Sequence, residues 1–169
     1  MRTILILVMA TMAALTLGCQ QAAEKAAEKA IAEQSGGRIA ADISGDSVTL
    51  TDKETGAETV LGKDAKMPEG WPASIPQYPG STVMESVTQD GPDGKVMHVM
   101  MTTPDSFEAV LDFYREKVKA AGYKVLAESS VPDGGMVMFE GENGTVHVNA
   151  MAGDEGCNIM VDIAPPRPE

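Results

Sequence analysis

The C-terminal half of the chain is dominated by short segments in which apolar and polar residues alternate. Between residues 81 and 163 this alternation recurs in six segments, and glycine-rich turns at 132–135, 141–144 and 153–156 separate the later ones. Successive side chains of a strand point to opposite faces of a sheet, so a period of two predicts strands that bury one face. Because tight turns join the segments, we expect an antiparallel sheet.

One segment of this region has the period of a helix instead. We expect Thr103 to cap it, Pro104 to occupy its first position and Gly122 to end it. The apolar residues between them form one stripe at helical spacing: Phe107, Val110, Leu111, Tyr114 and Val118. The expected fold class is α+β, an antiparallel sheet with one helix packed on one face, in the order ββαββββ across residues 81–163.

A small β-meander is predicted before this domain, at residues 37–62, where short alternating segments are separated by Gly45-Asp46 and by a turn at 53–56. Two or three strands of this length are not stable alone. We therefore expect the meander to dock on the later sheet or to pair with a partner.

A proline-rich strap follows at residues 63–80, and its prolines exclude a regular helix or strand. Trp71, Ile75 and Tyr78 give the strap apolar anchors of its own. Packing of these anchors onto the domain is favoured over a proline-rich ligand for the aromatic groove of another protein. Residues 164–169 form a polar tail.

The N-terminus has the pattern of an export signal. Arg2 precedes an apolar run that ends at Gly18-Cys19, so residues 1–18 are predicted to be a signal peptide. Gly18 before Cys19 resembles a lipobox, which implies acyl chains on Cys19 and a stable membrane anchor. The alternatives are an ordinary secretory signal with a chance cysteine and an uncleaved anchor. Residues 19–36, rich in Ala, Glu and Lys, are interpreted as a semi-rigid tether without an apolar face.

Location and charge restrict the partners. In a Gram-negative host, Gln20 after the lipidated cysteine favours the periplasmic side of the outer membrane, where an Asp would favour the inner membrane. The chain has 13 basic and 25 acidic residues and no basic run, which disfavours binding to a nucleic-acid backbone, and we expect no nucleic-acid partner. If Cys19 is acylated, Cys157 has no partner for an intrachain disulfide. We expect a buried core thiol there, with a metal ligand or an intermolecular disulfide as alternatives.

No catalytic motif is present. The sequence lacks a Gly-x-Ser-x-Gly element, a His-Glu-x-x-His pair and a phosphate-binding loop. We therefore expect no enzymatic activity and no cofactor.

One set of residues indicates possible metal chemistry. The alternation predicts that both histidines and five methionines share the sheet face opposite the helix: His98, Met100, Met136, Met138, His147, Met151 and Met160. Imidazole and thioether groups are the ligands of a periplasmic copper site. Two other interpretations remain open: the meander or a partner covers this face, with Met as adaptable filler, or the face forms a groove for an apolar ligand or lipid.

Three blocks of the chain resemble uncharacterised small bacterial lipoproteins. They are Pro-Glu-Gly-Trp-Pro-x-x-Ile-Pro-Gln-Tyr-Pro-Gly at 68–80, Thr-x-Asp-Ser-Phe-Glu-x-Val-Leu-x-Phe-Tyr-Arg at 103–115 and Ala-Ala-Gly-Tyr at 120–123. The resemblance covers about residues 38–163. It implies an α+β fold and an envelope location, and it implies no known activity or site residues.

These observations predict a lipid-anchored cell-envelope protein that acts as a non-enzymatic binding or interaction module. Its expected contacts are the membrane, through acylated Cys19, and either an envelope protein or a small apolar ligand. The alternative is a periplasmic copper-handling protein that uses the Met/His face.

Overall fold

The computed structural model describes residues 20–154 and 156–166. Helix α1 covers residues 20–34 and helix α2 covers Phe107–Ala120. The strands are β1 (Ile39–Ser44), β2 (Ser47–Asp52), β3 (Glu58–Gly62), β4 (Thr82–Gly91), β5 (Gly94–Thr103), β6 (Lys124–Val131), β7 (Gly134–Gly141), β8 (Gly144–Gly153) and β9 (Gly156–Ala164). The fold is α+β.

All nine of these strands form one open antiparallel sheet, in the order β1-β2-β3-β4-β5-β9-β8-β7-β6. Hairpins or short connections join most neighbours, and only β5 and β9 are neighbours that are distant in sequence. This central pairing runs from Met97 opposite Ile163 to Thr103 opposite Cys157. It joins two meanders, β1–β5 and β6–β9, into one layer.

The face of the sheet that packs against α2 contains the core. Alternate residues of β5, β7, β8 and β9 are buried there, as the period of two predicts. The largest fully buried side chains are Tyr114, Phe139, Ile75, Met101 and Ile159. Burial of a side chain of this size contributes about 1.5–3 kcal/mol, so this layer accounts for most of the apolar stabilisation.

The strap, together with α2, covers this same face of the sheet. Ile75 is completely buried and Tyr78 almost so, and the Tyr78 ring meets Phe113 of α2 edge-on at 5.1 Å between centroids. The Tyr78 hydroxyl donates a hydrogen bond of 2.7 Å to Asp105. Trp71 Nε1 donates to the carbonyl of Ile75 at 2.6 Å. The strap packs on its own domain, as its apolar anchors predict.

Helix α2 begins three residues later than the proline pattern predicts. Thr103 is the last residue of β5 and is buried, and the N-cap is Ser106, whose side chain accepts a hydrogen bond from the backbone N–H of Ala109. Thr103 stays in the ladder because it pairs with Cys157. Because the strand pairing retains Thr103 and the Asp105 carboxylate accepts a hydrogen bond from Tyr78, the cap is Ser106.

The meander β1–β3 extends the sheet sideways. β3 pairs with β4 from Glu58 opposite Thr88 to Leu61 opposite Glu85, so these strands lie beside the later sheet in the same layer. The interpretation that they cover the Met/His face is therefore wrong. Edge strands carry unpaired backbone N–H and C=O groups. Pairing of β3 with β4 satisfies these groups through backbone hydrogen bonds, which stacking of the meander on the Met/His face would not do.

Helix α1 lies against the outer edge of β1, which the tether interpretation did not anticipate. Glu28 accepts a hydrogen bond of 2.9 Å from the backbone N–H of Ile43, and Glu24 accepts one of 3.1 Å from the N–H of Gly45. Glu24, Glu28 and Ile31 are half-buried at helical spacing. The packed face of α1 is therefore formed largely by carboxylates, which satisfy the backbone donors of an edge strand.

Gly156 allows the β8–β9 turn to pass close to the end of β5. Its φ is +135°, a region that side chains rarely adopt, and a Cβ atom there would overlap the carbonyl oxygen of Thr103. This close approach sets the position of β9 beside β5.

Candidate functional site: the open face of the sheet

The sheet face opposite α2 and the strap, here called the open face, has no covering layer within residues 20–154 and 156–166. Its residues are ordered in rows because directly paired residues share a face. In the first row, His98 lies opposite Asp162, Asp162 opposite His147, and His147 opposite Met138. The second row contains Met100, Met160, Asn149 and Met136 in the same strand order. Met151 belongs to a third row, opposite Asn158.

The open face carries most of the exposed large apolar side chains. Val96, Met151 and Met160 are 41%, 42% and 41% exposed, and the register and alternation place them on this face. Leu126 and Val131 are 56% and 50% exposed and line shallow grooves beside His147 and Met136. Of the seven exposed large apolar residues in the described part of the chain, five therefore belong to one surface, and such clustering marks an interaction site.

Asp162 lies between the two histidines and links them. Its Oδ1 is 2.7 Å from His98 Nδ1, in a hydrogen bond that the imidazole N–H donates, and its Oδ2 is 3.6 Å from His147 Nδ1. This hydrogen bond raises the pKa of His98 above its ordinary value, and the negative charges of Asp162 and Glu85 act in the same direction against partial burial. The sequence pattern did not identify Asp162 as a site residue. What could have identified it is that it is the one acidic residue within the apolar alternation of β9.

His147 has one ring nitrogen without a partner. Its Nε2 atom is buried and makes no hydrogen bond, while Nδ1 faces Asp162. An unpaired polar atom in a buried position costs about 1–3 kcal/mol. Because Nε2 is buried, a group on the open face reaches it only if the side chains around His147 move.

The predicted metal ligands share the face, but they do not converge on one point. Residues four apart on a strand are separated by about 13 Å, so His147 and Met151 of β8 cannot bind the same ion. Among the described residues, no group of three or more His, Cys, Asp or Glu side chains is placed to hold a metal ion. Two directly paired sets of residues could each offer a soft metal ion two ligands. They are Met100 opposite Met160 and Met138 opposite His147.

The grooves on the open face are small. One of about 290 Å³ lies beside Leu126, Met138 and His147, and one of about 120 Å³ lies between Met136 and Met151. Sites that enclose a small organic ligand usually have volumes of about 300–1,000 Å³. The open face is therefore better suited to a broad contact than to an enclosed small molecule.

A larger groove, of about 690 Å³, lies at the end of the sheet beside the start of α2. Thr82, Thr102 and Asn158 line it together with Cys157. It is polar and wide open, and no feature of the sequence predicted it.

Cys157 is a buried core thiol, as its phase in β9 predicts. The residue is 3% exposed and unpaired. Burial raises the pKa of its thiol, so the thiolate that nucleophilic chemistry needs is disfavoured.

The predicted signal peptide and the lipidation site at Cys19 lie outside the described residues. Within residues 20–154 and 156–166, none of the helices is both long enough and apolar enough to span a bilayer.

Fold and site together define an α+β protein whose single antiparallel sheet is covered on one face and open on the other. A family model described as START domain-like matches residues 83–156, from β4 to the first residue of β9. The chain is thus similar to that family over the part that contains α2 and most of the open face. No curated protein and no solved structure matches the chain.

Proposed function

We propose that this chain is a lipid-anchored cell-envelope protein that acts as a non-enzymatic interaction module, with the open face as its contact surface. The observation that carries the proposal is the concentration of exposed apolar side chains, including Met151 and Met160, on the uncovered face of an otherwise well-packed sheet. Similarity to a START domain-like family is compatible with a binding or interaction module.

The geometry favours a macromolecular partner over a small apolar ligand. The core beneath α2 is filled, with Tyr114, Phe139 and Val148 at most 1% exposed. The grooves of the open face, of about 290 Å³ and 120 Å³, are open to solvent and reach at most the lower end of the range of sites that enclose an organic molecule. A flat surface of flexible methionines is typical of contacts that adapt to a second protein.

Photo-crosslinking tests the proposed contact surface. A benzophenone amino acid at position 160 of the full-length chain, expressed in a bacterial host, should form a covalent adduct of defined mass in the intact envelope. The same group at Glu116, on the exposed surface of α2, is the matched control. Equal crosslinking at both positions, or none at either, would contradict an interaction surface on the open face.

The anchor is supported by the sequence alone, through the apolar run before Gly18-Cys19. Replacement of Cys19 by Ser removes the thiol that acylation requires. We expect the wild-type protein in the membrane fraction and the C19S protein in the soluble periplasmic fraction. Membrane association that is unchanged by the substitution would exclude a lipid anchor at this position.

Copper handling is the second candidate, and it is supported by the direct pairing of Met100 with Met160 beside the row that contains both histidines. A competition titration with Cu(I) tests it. The double variant Met100→Leu/Met160→Leu preserves side-chain volume and removes both thioethers. If wild type binds Cu(I) no more tightly than this variant, these thioethers bind no copper.

A further inference from the structure

Strand β6 is the free edge of the sheet. It is the last strand in the sheet order, and all eight of its residues are exposed. The opposite edge, β1, is covered by α1, whose Glu24 and Glu28 accept backbone N–H groups. Within residues 20–154 and 156–166, no backbone group outside the sheet hydrogen-bonds to β6. Unpaired N–H and C=O groups of an edge strand bind other extended chains. The fold therefore shields one edge of the sheet and leaves the other accessible.

The turn after β6 determines which of its backbone groups face outward. Val131 pairs with Gly134 across a two-residue turn, which makes them a hydrogen-bonded pair. Hydrogen-bonded and non-hydrogen-bonded pairs alternate along an antiparallel ladder. Glu128 and Ser130 therefore belong to non-hydrogen-bonded pairs, and their N–H and C=O groups point away from β7.

The accessible stretch of this edge is short. The register of β6 against β7 shifts between Val125 and Ala127, and such a bulge interrupts regular pairing. An added strand can therefore pair with residues 127–131, which offer two outward N–H and two outward C=O groups. Only another extended backbone satisfies donors and acceptors in this arrangement, so the edge itself specifies a strand as its occupant.

The open-face side of this stretch favours apolar side chains in the added strand. The residues of β6 next to the edge are small there, with Ala127 opposite Met138 and Ser129 opposite Met136. A side chain from an added strand can therefore pass over β6 and contact the methionines. A groove of about 120 Å³ lies between Met136 and Met151 at this point. It is too small for an organic ligand and suits a single aliphatic side chain.

The α2 side of the same stretch is polar. Glu128 lies opposite the buried Val137 and forms an ion pair with Arg115 of α2. Without Arg2, the chain from residue 20 has 12 basic and 25 acidic residues, a formal charge of −13. This charge repels an acidic segment and also a second copy of this chain, and it favours a neutral or basic segment.

We infer that the free edge of β6 binds an extended segment of another protein, which adds a tenth strand to the sheet. The segment has apolar side chains at alternate positions, which face the methionines, and neutral or basic side chains between them. Backbone hydrogen bonds to Glu128 and Ser130 supply affinity, and the small groove supplies selectivity. This inference deepens the proposed function by specifying the form of the partner, and it rests on that function.

Amide exchange tests strand addition with a defined probe, the peptide Lys-Val-Thr-Val-Thr-Val-Lys at millimolar concentration. The buried apolar residues of the described chain all lie between Ala65 and Ile163, so a chain that begins at residue 20 keeps its core. We expect the peptide to slow exchange of the Ser130 amide by about tenfold or more. The Ser129 amide, which already bonds to β7, should be unchanged.

The control peptide is Lys-Val-Thr-Pro-Thr-Val-Lys, whose proline lacks the central donor and interrupts a ladder. It should leave the exchange of Ser130 as it is in the free protein. Equal exchange rates at Ser130 with the two peptides would overturn the inference.

A backbone variant tests the same edge in the envelope. Benzophenone at position 126 of the full-length chain should form an adduct of defined mass with another protein. Ser130→Pro removes one outward N–H and retains the bonds to β7, because proline is tolerated on an edge strand where its nitrogen faces outward. Ser130→Ala keeps the N–H. We expect S130P to abolish the adduct and S130A to retain it. The urea midpoint shows whether S130P is folded, and if it is not, the peptide experiment decides.

The outcomes separate this inference from the proposed function. An adduct at position 160, together with no protection of Ser130 by the peptide, would overturn strand addition and leave the interaction module intact. When two differently tagged copies are expressed together, an adduct at position 126 that carries both tags would identify a second copy and overturn the inference. The absence of adducts at both positions would overturn the proposed function and this inference with it.

Discussion

At the scale of single residues, the open face is organised around Asp162. An isolated carboxylate on an apolar strand face would be costly, because its charge would be partly removed from water without compensation. The contacts of Asp162 with His98 at 2.7 Å and His147 at 3.6 Å supply that compensation. The first row is therefore a coupled group of three side chains.

The coupling predicts a pH dependence. The folded-state pKa of His98 is raised above 6.5, chiefly by its hydrogen bond to Asp162. Its contribution to stability is therefore complete below the unfolded-state pKa and is lost as the pH rises through the higher folded-state pKa. NMR titration of the His98 ring protons should give a midpoint above 6.5, and Asp162→Asn should lower it. A wild-type midpoint at or below 6.5, or one that D162N leaves unchanged, would contradict the assigned contact.

At the scale of elements, α1 and the strap show how segments outside the sheet attach to it. α1 joins the sheet through carboxylates that accept backbone N–H groups of the edge strand. The strap joins through buried apolar anchors. Only the strap attaches through apolar residues, which a hydrophobicity pattern can identify. The sequence therefore predicted the packing of the strap and not that of α1.

Removal of the two α1 carboxylates should expose the edge of β1. In the double variant Glu24→Ala/Glu28→Ala, the amides of Ile43 and Gly45 lose their acceptors, and we expect faster hydrogen exchange at both. Glu33→Ala is the control, because Glu33 is exposed and pairs only with Lys29 of the same helix. Exchange rates at Ile43 that match in the two variants would show that α1 does not cap the edge.

Truncation of the central strap anchor should destabilise the whole domain. Ile75 is fully buried, and Ile75→Ala should lower the free energy of unfolding by about 2–5 kcal/mol through lost burial and a residual cavity. Ser74→Ala, at the exposed neighbouring position, should change it by less than about 0.5 kcal/mol. Urea denaturation measures both. A loss below about 1 kcal/mol for I75A would mean that the strap is only loosely attached.

At the scale of the whole molecule, the alternation of residues predicted which side chains share a face, because a period of two depends only on local geometry. The neighbours of each strand could not be predicted in this way. The contact between His98 and Asp162 exists because β5 pairs with β9, and no local pattern encodes a pairing between strands so distant in sequence. The start of α2 was placed at Thr103 for the same reason, since the pairing with Cys157 that keeps Thr103 in the strand is long-range.

The acidic surface should make stability depend on salt. Without Arg2, the chain from residue 20 has 12 basic and 25 acidic residues, and its formal charge of −13 favours expansion through self-repulsion, which added salt screens. The urea midpoint of the chain from residue 20 should therefore rise between about 0.01 M and 0.15 M NaCl, where the Debye length falls from about 30 Å to about 8 Å. The comparison is made at a concentration low enough to keep the protein monomeric. A midpoint that falls over this range would indicate that attractive ion pairs outweigh the repulsion.

The central β5–β9 pairing has a consequence for how the chain reaches its native state. The other strand pairings join neighbours in sequence, whereas this one must close the chain between Thr103 and Cys157. Closure of a long loop is entropically costly and slows folding. We therefore expect the pairing of β5 with β9 to form later than the hairpins within each meander. Until that pairing forms, each half exposes an unpaired edge strand, with which the corresponding half of a neighbouring molecule can pair. The β5–β9 pairing is therefore also the point at which two chains can exchange halves.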